Sequence, residues 1–198
     1  ERYRDDERVC VISGDNFQPG PPRTPYSYYF SRFNPCWGWA TWRRAWGHFQ
    51  GDLPFWPAWR GSEAWMRQIP DKIERDHWQK IFDRVTSGQI DSWAYPWTAC
   101  VWFQGGLTAT PNVNLVSNIG FGPDSTHTAA ADSPLAAMAT AALGEIRHPN
   151  AVVQNVIADR YVFDHNFGGR KHRLPRSLLR MSRRAAGSLY RRLKQSFA

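Results

Sequence analysis

The chain has 198 residues, of which 42% are hydrophobic and 21% charged, a balance typical of a folded protein that excludes disorder over most of its length. All 17 acidic residues lie at or before Asp164, whereas 10 of the 25 basic residues lie in 170–198. The body therefore carries 15 basic against 17 acidic residues, which excludes a uniformly basic domain and indicates a near-neutral domain, or part of one, with a basic tail.

The cysteine content and the absence of a long apolar run bear on the compartment. Cys10, Cys36 and Cys100 are too few and too scattered for a disulfide framework or a zinc site, so we expect free thiols in a reducing compartment. No run approaches the roughly 18 apolar residues of a spanning helix. We therefore expect a cytoplasmic location. The start, ERYRDDERV, resembles the end of a helix that passes into a strand, so we expect the chain to begin inside a domain.

The pattern of apolar residues along the chain predicts an α/β fold. Short apolar or aromatic runs indicate three strands, over residues 8–13, 26–33 and 107–111. Helical spacing of apolar residues indicates helices over residues 41–49, 63–68, 72–87 and 93–104, and an Ala-rich stretch indicates a looser helix over 133–143. We therefore expect a sheet flanked by helices.

Two polar residues follow the first predicted strand. Residues 8–13 end in Gly14, Asp15 and Asn16, in the way that a buried strand ends in a loop. Ligands of α/β proteins bind at the carboxyl ends of the strands, so Asp15 and Asn16 are candidates for substrate binding. The alternative is an ordinary turn, since both residue types are common in turns.

Residues 26–46, YSYYFSRFNPCWGWATWRRAW, are dense in aromatic side chains, with four tryptophans among them. Such density builds either a core or a flat platform for a planar or pyranose ligand. A glycine between two indoles, as in Trp37-Gly38-Trp39, allows backbone to approach a ligand closely while the rings wall it. The residues alone leave both alternatives open, a sugar site and a core between sheet and helix.

Residues 112–128, NVNLVSNIGFGPDSTHT, form a polar, Gly-bearing segment that is longer than a plain connector. The amides of Asn112 and Asn118 and the exposed backbone at Gly120 could bind hydroxyl or phosphate oxygens, and loops of this kind usually carry function. The alternative is that these residues satisfy turn geometry.

Three motifs occur in a fixed order: WGWATWRRAW, IDSWAYPW and PNVNLVSNIGFG followed by THT. In them the chain resembles the bacterial glycosyltransferase-2-like, nucleotide-diphospho-sugar transferases of GT-A fold, including proteins labelled hemolytic protein HlpA-like. The resemblance implies an α/β domain with a mixed sheet over residues 1–169, of which this chain is the acceptor-side part. The acidic motif that holds the donor diphosphate through a divalent cation, manganese or magnesium, is absent, so we expect the missing amino-terminal half to bind the cation and this part alone to be inactive.

The resemblance also implies site residues. Asp91 precedes the predicted helix 93–104 and is the candidate general base, with a simple helix cap as the alternative. Relatives would carry an acidic residue where this chain has Ala94, which leaves open that the base lies elsewhere. The resemblance favours Trp37 and Gly38 near the acceptor or donor sugar, and Trp42 and Trp46 in the core. Trp39 and Trp97 are expected at the substrate, and His127 is expected in a metal shell, with a surface histidine as the alternative.

Residues 170–198 carry ten cations around an imperfect apolar stripe that a helix would form. A basic amphipathic tail suits the anionic inner surface of a membrane, where apolar and electrostatic attraction add. A solvated extension is the alternative, and we expect no nucleic acid partner because no recognisable binding module accompanies the charge.

These features together predict a glycosyltransferase that moves a sugar from a nucleotide-diphosphate sugar to a glycan or lipid-linked acceptor. The alternative is a non-catalytic carbohydrate-binding or membrane-surface interaction domain, because Ala94 departs from the family pattern.

Overall fold

A computed structural model describes residues 1–121 and 135–173. The strands are β1 (Val9–Ile12), β2 (Tyr28–Ser31), β3 (Ala40–Thr41) and β4 (Leu107–Pro111). The helices are α1 (Arg43–Trp46), α2 (Trp56–Trp59), α3 (Glu63–Gln68), α4 (Lys72–Thr86), α5 (Ala94–Phe103), α6 (Val156–Asn166) and α7 (Gly169–Arg173). The mixed α/β class predicted from the sequence is confirmed.

The four strands form one mixed sheet in the order β2-β4-β1-β3. The two central strands, β1 and β4, are parallel, while β2 and β3 pair antiparallel on the outside. Parallel strands end at the same edge of a sheet, so the residues that follow Ile12 and Pro111 meet there. The sheet thereby brings together two segments that lie about a hundred positions apart in the sequence.

Indole and phenyl rings fill the core between the helices. Trp56, Trp65, Trp78 and Trp102 are each at most 2% exposed, and their rings meet one another and Phe82 mainly edge to face. Such edge-to-face contacts add stabilisation beyond the area that the rings bury. Helix α4 supplies Trp78 and Phe82, and it begins at Asp71, whose carboxylate accepts from the amides of Ile73 and Glu74.

Two predicted helices differ from the observed structure. Within 41–49, Thr41 belongs to β3 and pairs with Val11 of β1. Only Arg43–Trp46 is helical, because Gly47 follows and favours the end of a helix. In 133–143, the described part from residue 135 onward is a turn followed by irregular chain. Ala137 has φ 51°, which a right-handed helix does not accommodate, and the Ala141 amide donates to Asn114 O.

A buried ionic network fixes the end of β2 to the helices. The Arg32 guanidinium lies 2.5 Å from Glu74 Oε1, and the Arg32 amide donates to Asp159 Oδ2 at 3.0 Å. Asp159 also accepts from Ser31 Oγ and from Gln154 Nε2, both at 2.6 Å. Burial raises the pKa of Asp159 and of Glu74, and the positive charge of Arg32 acts against that rise in both. Each buried carboxyl here has a cation beside it.

Helix α7 begins the basic segment predicted for 170–198, and the remainder of that segment, from residue 174, lies outside the described residues. Arg173 anchors this helix to the body, with 2.6 Å to Asp71 Oδ2 and 3.0 Å to Asp164 Oδ1. Over 1–121 and 135–173, no helix combines the length and the apolar character that crossing a bilayer requires.

Candidate functional site

A cavity of about 390 Å³ lies beside the carboxyl end of β1, between the segment 33–37, α5 and α6. This volume falls within the range of about 300–1,000 Å³ that is usual for small-molecule sites. Much of its wall is aromatic, contributed by Phe17, Phe33, Trp37, Trp78 and Phe167. Its polar side chains are few, namely Asp15, Asn34, Tyr95, Thr98 and Asn166. A mostly apolar cavity with a few polar groups is the usual form of a ligand site.

Asp15 is the acidic residue of this cavity, and its side chain is fully buried. Its carboxylate accepts a short hydrogen bond from Ser13 Oγ on Oδ1 and a longer one, 3.3 Å, from the Trp37 amide on Oδ2. Among the described residues that line the cavity, none is a lysine, arginine or histidine. Burial raises the pKa of Asp15 to about 6, and the two hydrogen bonds only partly oppose that rise.

Asn34 is the second polar feature of the cavity. Both polar atoms of its side-chain amide, Oδ1 and Nδ2, are buried and have no hydrogen-bond partner. Buried amide groups are nearly always paired, and leaving one unpaired costs about 1–3 kcal/mol. An unpaired amide that lines a cavity indicates a ligand or ordered water that completes its hydrogen bonds. The position was not selected from the sequence, where Asn34-Pro35 has only the appearance of a turn.

Trp37 and Gly38 lie next to this cavity, as predicted for a sugar site, but the role of the glycine differs. The Trp37 ring lines the cavity and is held edge to face by Phe17 and Phe121, at centroid distances of 5.0 and 5.8 Å. Gly38 has φ 56°, and a Cβ placed on it would lie 2.4 Å from Val116 Cγ1. The space beside Gly38 is therefore filled by Val116, so the glycine serves loop packing.

Trp39 and Trp97 lie outside the cavity, in a separate aromatic cluster. The Trp39 ring stacks on Trp93 at 5.3 Å and also contacts Trp97 at 6.1 Å. Trp97 is 1% exposed, and its ring meets Trp46 at 5.0 Å. Trp97 is therefore a core residue, whereas Trp39 is half-buried at the edge of the core. The prediction that Trp46 lies in the core is wrong, because 41% of it is exposed.

Asp91 is exposed and does not line the cavity. Helix α5 begins at Ala94, its N-cap is Trp93, and the first turn holds no acidic residue. The alternative that Asp91 caps the helix is therefore wrong, and Ser92 Oγ accepts from the Ala94 amide near the helix start. Ala94 and Tyr95, at the start of α5, do line the cavity. A role for Asp91 as the base stays a prediction.

The asparagines predicted to bind substrate hold the loops at the sheet edge. Asn16 Nδ2 donates to Pro111 O at 2.8 Å, which ties the end of β1 to the end of β4. Asn112 accepts from the Arg23 amide and donates to Tyr26 O. Asn118 Oδ1 accepts from the Gly120 amide at 2.8 Å, as in an Asx turn. The turn-geometry alternative thus accounts for these side chains, and none of the three lines the cavity.

No metal centre is formed by the described parts of the chain, where no three His, Cys, Asp or Glu side chains come together. Asp15 stands as a single carboxylate held by Ser13 and Trp37, so the described residues of the cavity do not fit a divalent cation. His127, predicted for a metal shell, lies outside the described residues.

Comparison with known proteins found no match: no family model, no curated protein and no solved structure is similar to this chain at a significant level. The resemblance to the GT-A transferases therefore stays a prediction from three sequence motifs. What the structure adds is the place and the chemistry of one cavity at the edge of a mixed sheet.

Proposed function

We propose that the chain forms the acceptor-side part of a glycosyltransferase, which moves a sugar from a nucleotide-diphosphate sugar to a glycan or lipid-linked acceptor. One observation carries the proposal: a cavity at the carboxyl edge of parallel strands joins the Trp37 indole with the accessible polar side chains of Tyr95 and Asn166. Sugars present CH groups to aromatic faces and hydroxyls to polar side chains, so these groups together suit a pyranose ring.

The location of the cavity supports the same proposal. In open α/β sheets, ligands bind outside the carboxyl ends of the strands, and Asp15 follows the carboxyl end of β1 directly. Two of the three motifs that carry the family resemblance line it, since Trp37 comes from the first and Ala94 and Tyr95 from the second. The third motif supplies Phe121, whose ring packs edge to face on Trp37. Motifs that are far apart in sequence but converge on one cavity favour a common ligand.

Sugar binding is tested by titrating methyl glycosides against the chain while intrinsic tryptophan fluorescence is recorded. Trp37→Ala should weaken binding by about tenfold or more, which corresponds to about 1.4 kcal/mol. The matched control is Trp93→Ala, because Trp93 is a half-exposed indole outside the cavity that also stacks on a neighbouring ring. Equal affinity in the two variants would contradict the proposal.

Turnover is tested on the full product of the reading frame. Release of nucleoside diphosphate from UDP- and GDP-sugars, with manganese or magnesium and a glycan acceptor, should depend on the donor, the cation and the acceptor together. Glycoside binding without any release would favour the alternative, a non-catalytic carbohydrate-binding domain.

The membrane part of the proposal concerns residues 170–198. Because Arg173 joins α7 to Asp71 and Asp164, a truncation after residue 173 leaves that anchor in place. The truncated chain should sediment less with vesicles of anionic lipid, and the difference should shrink as salt is raised. Unchanged sedimentation would remove the peripheral membrane location from the proposal.

A further inference from the structure

We propose that the amino-terminal end of α6 docks on an anionic lipid bilayer, with Val153, Val156 and Ile157 entering the boundary between headgroups and acyl chains. We call these three side chains the α6 patch. The inference rests on the peripheral membrane location proposed above and deepens it, because it names a surface of the folded body that is separate from residues 174–198.

The α6 patch is a continuous apolar surface. Val153, Val156 and Ile157 are 68%, 65% and 74% exposed, although they lie within five positions of one another. Together with Pro149 and Ala151 they line one shallow groove beside β2. A single exposed apolar side chain is normal, whereas several that adjoin one another mark a surface that contacts a partner or a membrane.

The segment before α6 is held in a fixed orientation along the outer edge of β2. The Asn155 amide donates to Phe30 O at 2.7 Å. The Gln154 side chain points inward, where its Nε2 donates to the buried carboxylate of Asp159 at 2.6 Å. Neighbouring side chains of an extended segment point to opposite sides, so Val153 faces outward.

The first turn of α6 is fixed in the same way. Asn155 Oδ1 accepts from the Ala158 amide at 2.9 Å and caps the helix. Ala158 and Asp159 are 0% and 3% exposed, so this side of the helix faces the interior. Val156 and Ile157 therefore lie on the outer side, and their exposure follows from the fold.

Cations lie beside the α6 patch. Arg160 follows one turn later on the outer side of α6, with 68% of its side chain accessible. The Arg23 guanidinium lies 4.6 Å from the centre of the neighbouring Tyr161 ring. An apolar surface that adjoins arginines and a tyrosine has the composition of a helix that binds at a membrane interface.

The charges favour lipid over a second copy of this chain. In the segments 23–31 and 149–163, all of which the structure describes, Asp159 is the one acidic residue, and it is buried. A symmetric dimer places the same surface on both partners, so Arg23 and Arg160 would meet like charges there. Anionic headgroups supply the opposite charge.

The first experiment measures sedimentation of the full chain with vesicles of equal parts phosphatidylglycerol and phosphatidylcholine. Ile157→Gln should weaken binding by about tenfold or more, because one apolar side chain no longer leaves water. The matched control is Ile119→Gln, since Ile119 is 95% exposed and lies outside the patch. Equal affinities of these two variants would overturn the inference.

Ile157→Trp separates lipid contact from an effect on folding. An indole prefers the bilayer interface, so this variant should bind at least as tightly as the wild type. A loss as large as that of Ile157→Gln would mean that the isoleucine acts through the folded structure, and the inference would fail.

The chain truncated after residue 173 separates the patch from the tail. Its remaining sedimentation should be lost in Ile157→Gln. Absence of any remaining sedimentation, or its insensitivity to Ile157→Gln, overturns the inference and leaves membrane binding to the tail. Unchanged sedimentation on truncation, together with loss in Ile157→Gln, removes the tail from the proposed function and supports the patch.

A third measurement distinguishes lipid from a second copy. Arg160→Gln should weaken binding to the anionic vesicles by about fivefold, whereas Arg84→Gln, an exposed arginine on α4, should change it little. Sedimentation equilibrium without lipid reports the oligomeric state. A dimer that dissociates in Ile157→Gln, with vesicle affinity unchanged, would assign the patch to contact between copies and overturn the inference.

Discussion

Two regions of this molecule bury carboxyl groups, and they differ in whether a cation lies beside the carboxyl. At the end of β2, Glu74 and Asp159 share the cation of Arg32 and a set of hydrogen bonds. At the end of β1, Asp15 has two hydrogen bonds and no cation among the described residues of its cavity. Burying a charge is costly unless it is paired. The network around Arg32 therefore holds the end of β2 to the helices, whereas no cation among the described residues of the cavity offsets the cost of burying Asp15.

Breaking the paired network should have the largest effect. Arg32→Met leaves Glu74 and Asp159 buried without their cation, and the free energy of unfolding should fall by about 3–5 kcal/mol in urea titrations at pH 7.5. The matched control is Arg60→Met, whose ion pair with Asp83 is exposed, with 46% and 38% of the two side chains accessible. That variant should lose less than about 1 kcal/mol. Equal losses in the two variants would refute the contrast.

Removing the charge of Asp15 should have the opposite effect and raise the free energy of unfolding. The pKa of Asp15 is about 6 in the folded chain against an ordinary 3.8, so the folded state binds the proton more tightly than the unfolded state. Stability therefore falls as pH rises from about 4 to about 6 and stays lowered above that. Asp15→Asn should restore up to about 3 kcal/mol at pH 7.5 and almost nothing at pH 4.

Urea unfolding of Asp15→Asn at pH 4 and at pH 7.5 measures that difference. The carboxylate of Asp52 is exposed, so Asp52→Asn should show neither the gain in stability nor its pH dependence. A variant that is more stable but has lost ligand binding would have the signature of a functional group retained at a cost to stability. Destabilisation at both pH values would mean that the hydrogen bonds of the Asp15 carboxylate stabilise the fold, as those of Asp159 do.

How far the sequence predicts these two regions depends on the range of the contacts. The position of Asp15 after an apolar run was enough to select it, since strand ends carry ligand sites in α/β folds. Arg32, Glu74 and Asp159 were not selected, because their pairing joins residues up to 127 positions apart. Asn34 was missed for the same reason: its significance is the lack of a partner in three dimensions, which no local pattern reports.

The tryptophans show that sequence-based prediction is limited even for residues that are close together in the chain. Trp37 and Trp39 are two positions apart, yet one lines the cavity and the other stacks on Trp93. Gly38 between them has φ 56°, so neither strand nor helix periodicity applies to the step. The sequence could predict an aromatic site here, but the division of rings between cavity and core depends on helix α5, which brings Trp97 against Trp39.

Placing a cation beside Asp15 should give it the kind of partner that Glu74 and Asp159 have in Arg32. Asn34→Lys places an ammonium group on the wall that Asp15 also lines, and the pKa of Asp15 should fall by about one unit or more, equivalent to about 1.4 kcal/mol. Asn34→Leu, of similar size and without charge, should leave that pKa at or above its present value. Titration of the Asp15 carboxyl carbon by NMR measures both. An unchanged pKa in Asn34→Lys would mean that the side chains at positions 34 and 15 do not interact electrostatically.

The smallest effect is expected where the carboxylate is neither buried nor paired. Asp91 is exposed, and α5 begins at Ala94 with Trp93 as its N-cap. A true N-cap carboxylate would cost about 1 kcal/mol on replacement by alanine, whereas Asp91→Ala should change the free energy of unfolding by less than about 0.5 kcal/mol. A loss near the full capping value would restore Asp91 to the helix terminus. A null result leaves any effect of Asp91→Asn on turnover to chemistry alone, which is the condition under which Asp91 can be tested as the base.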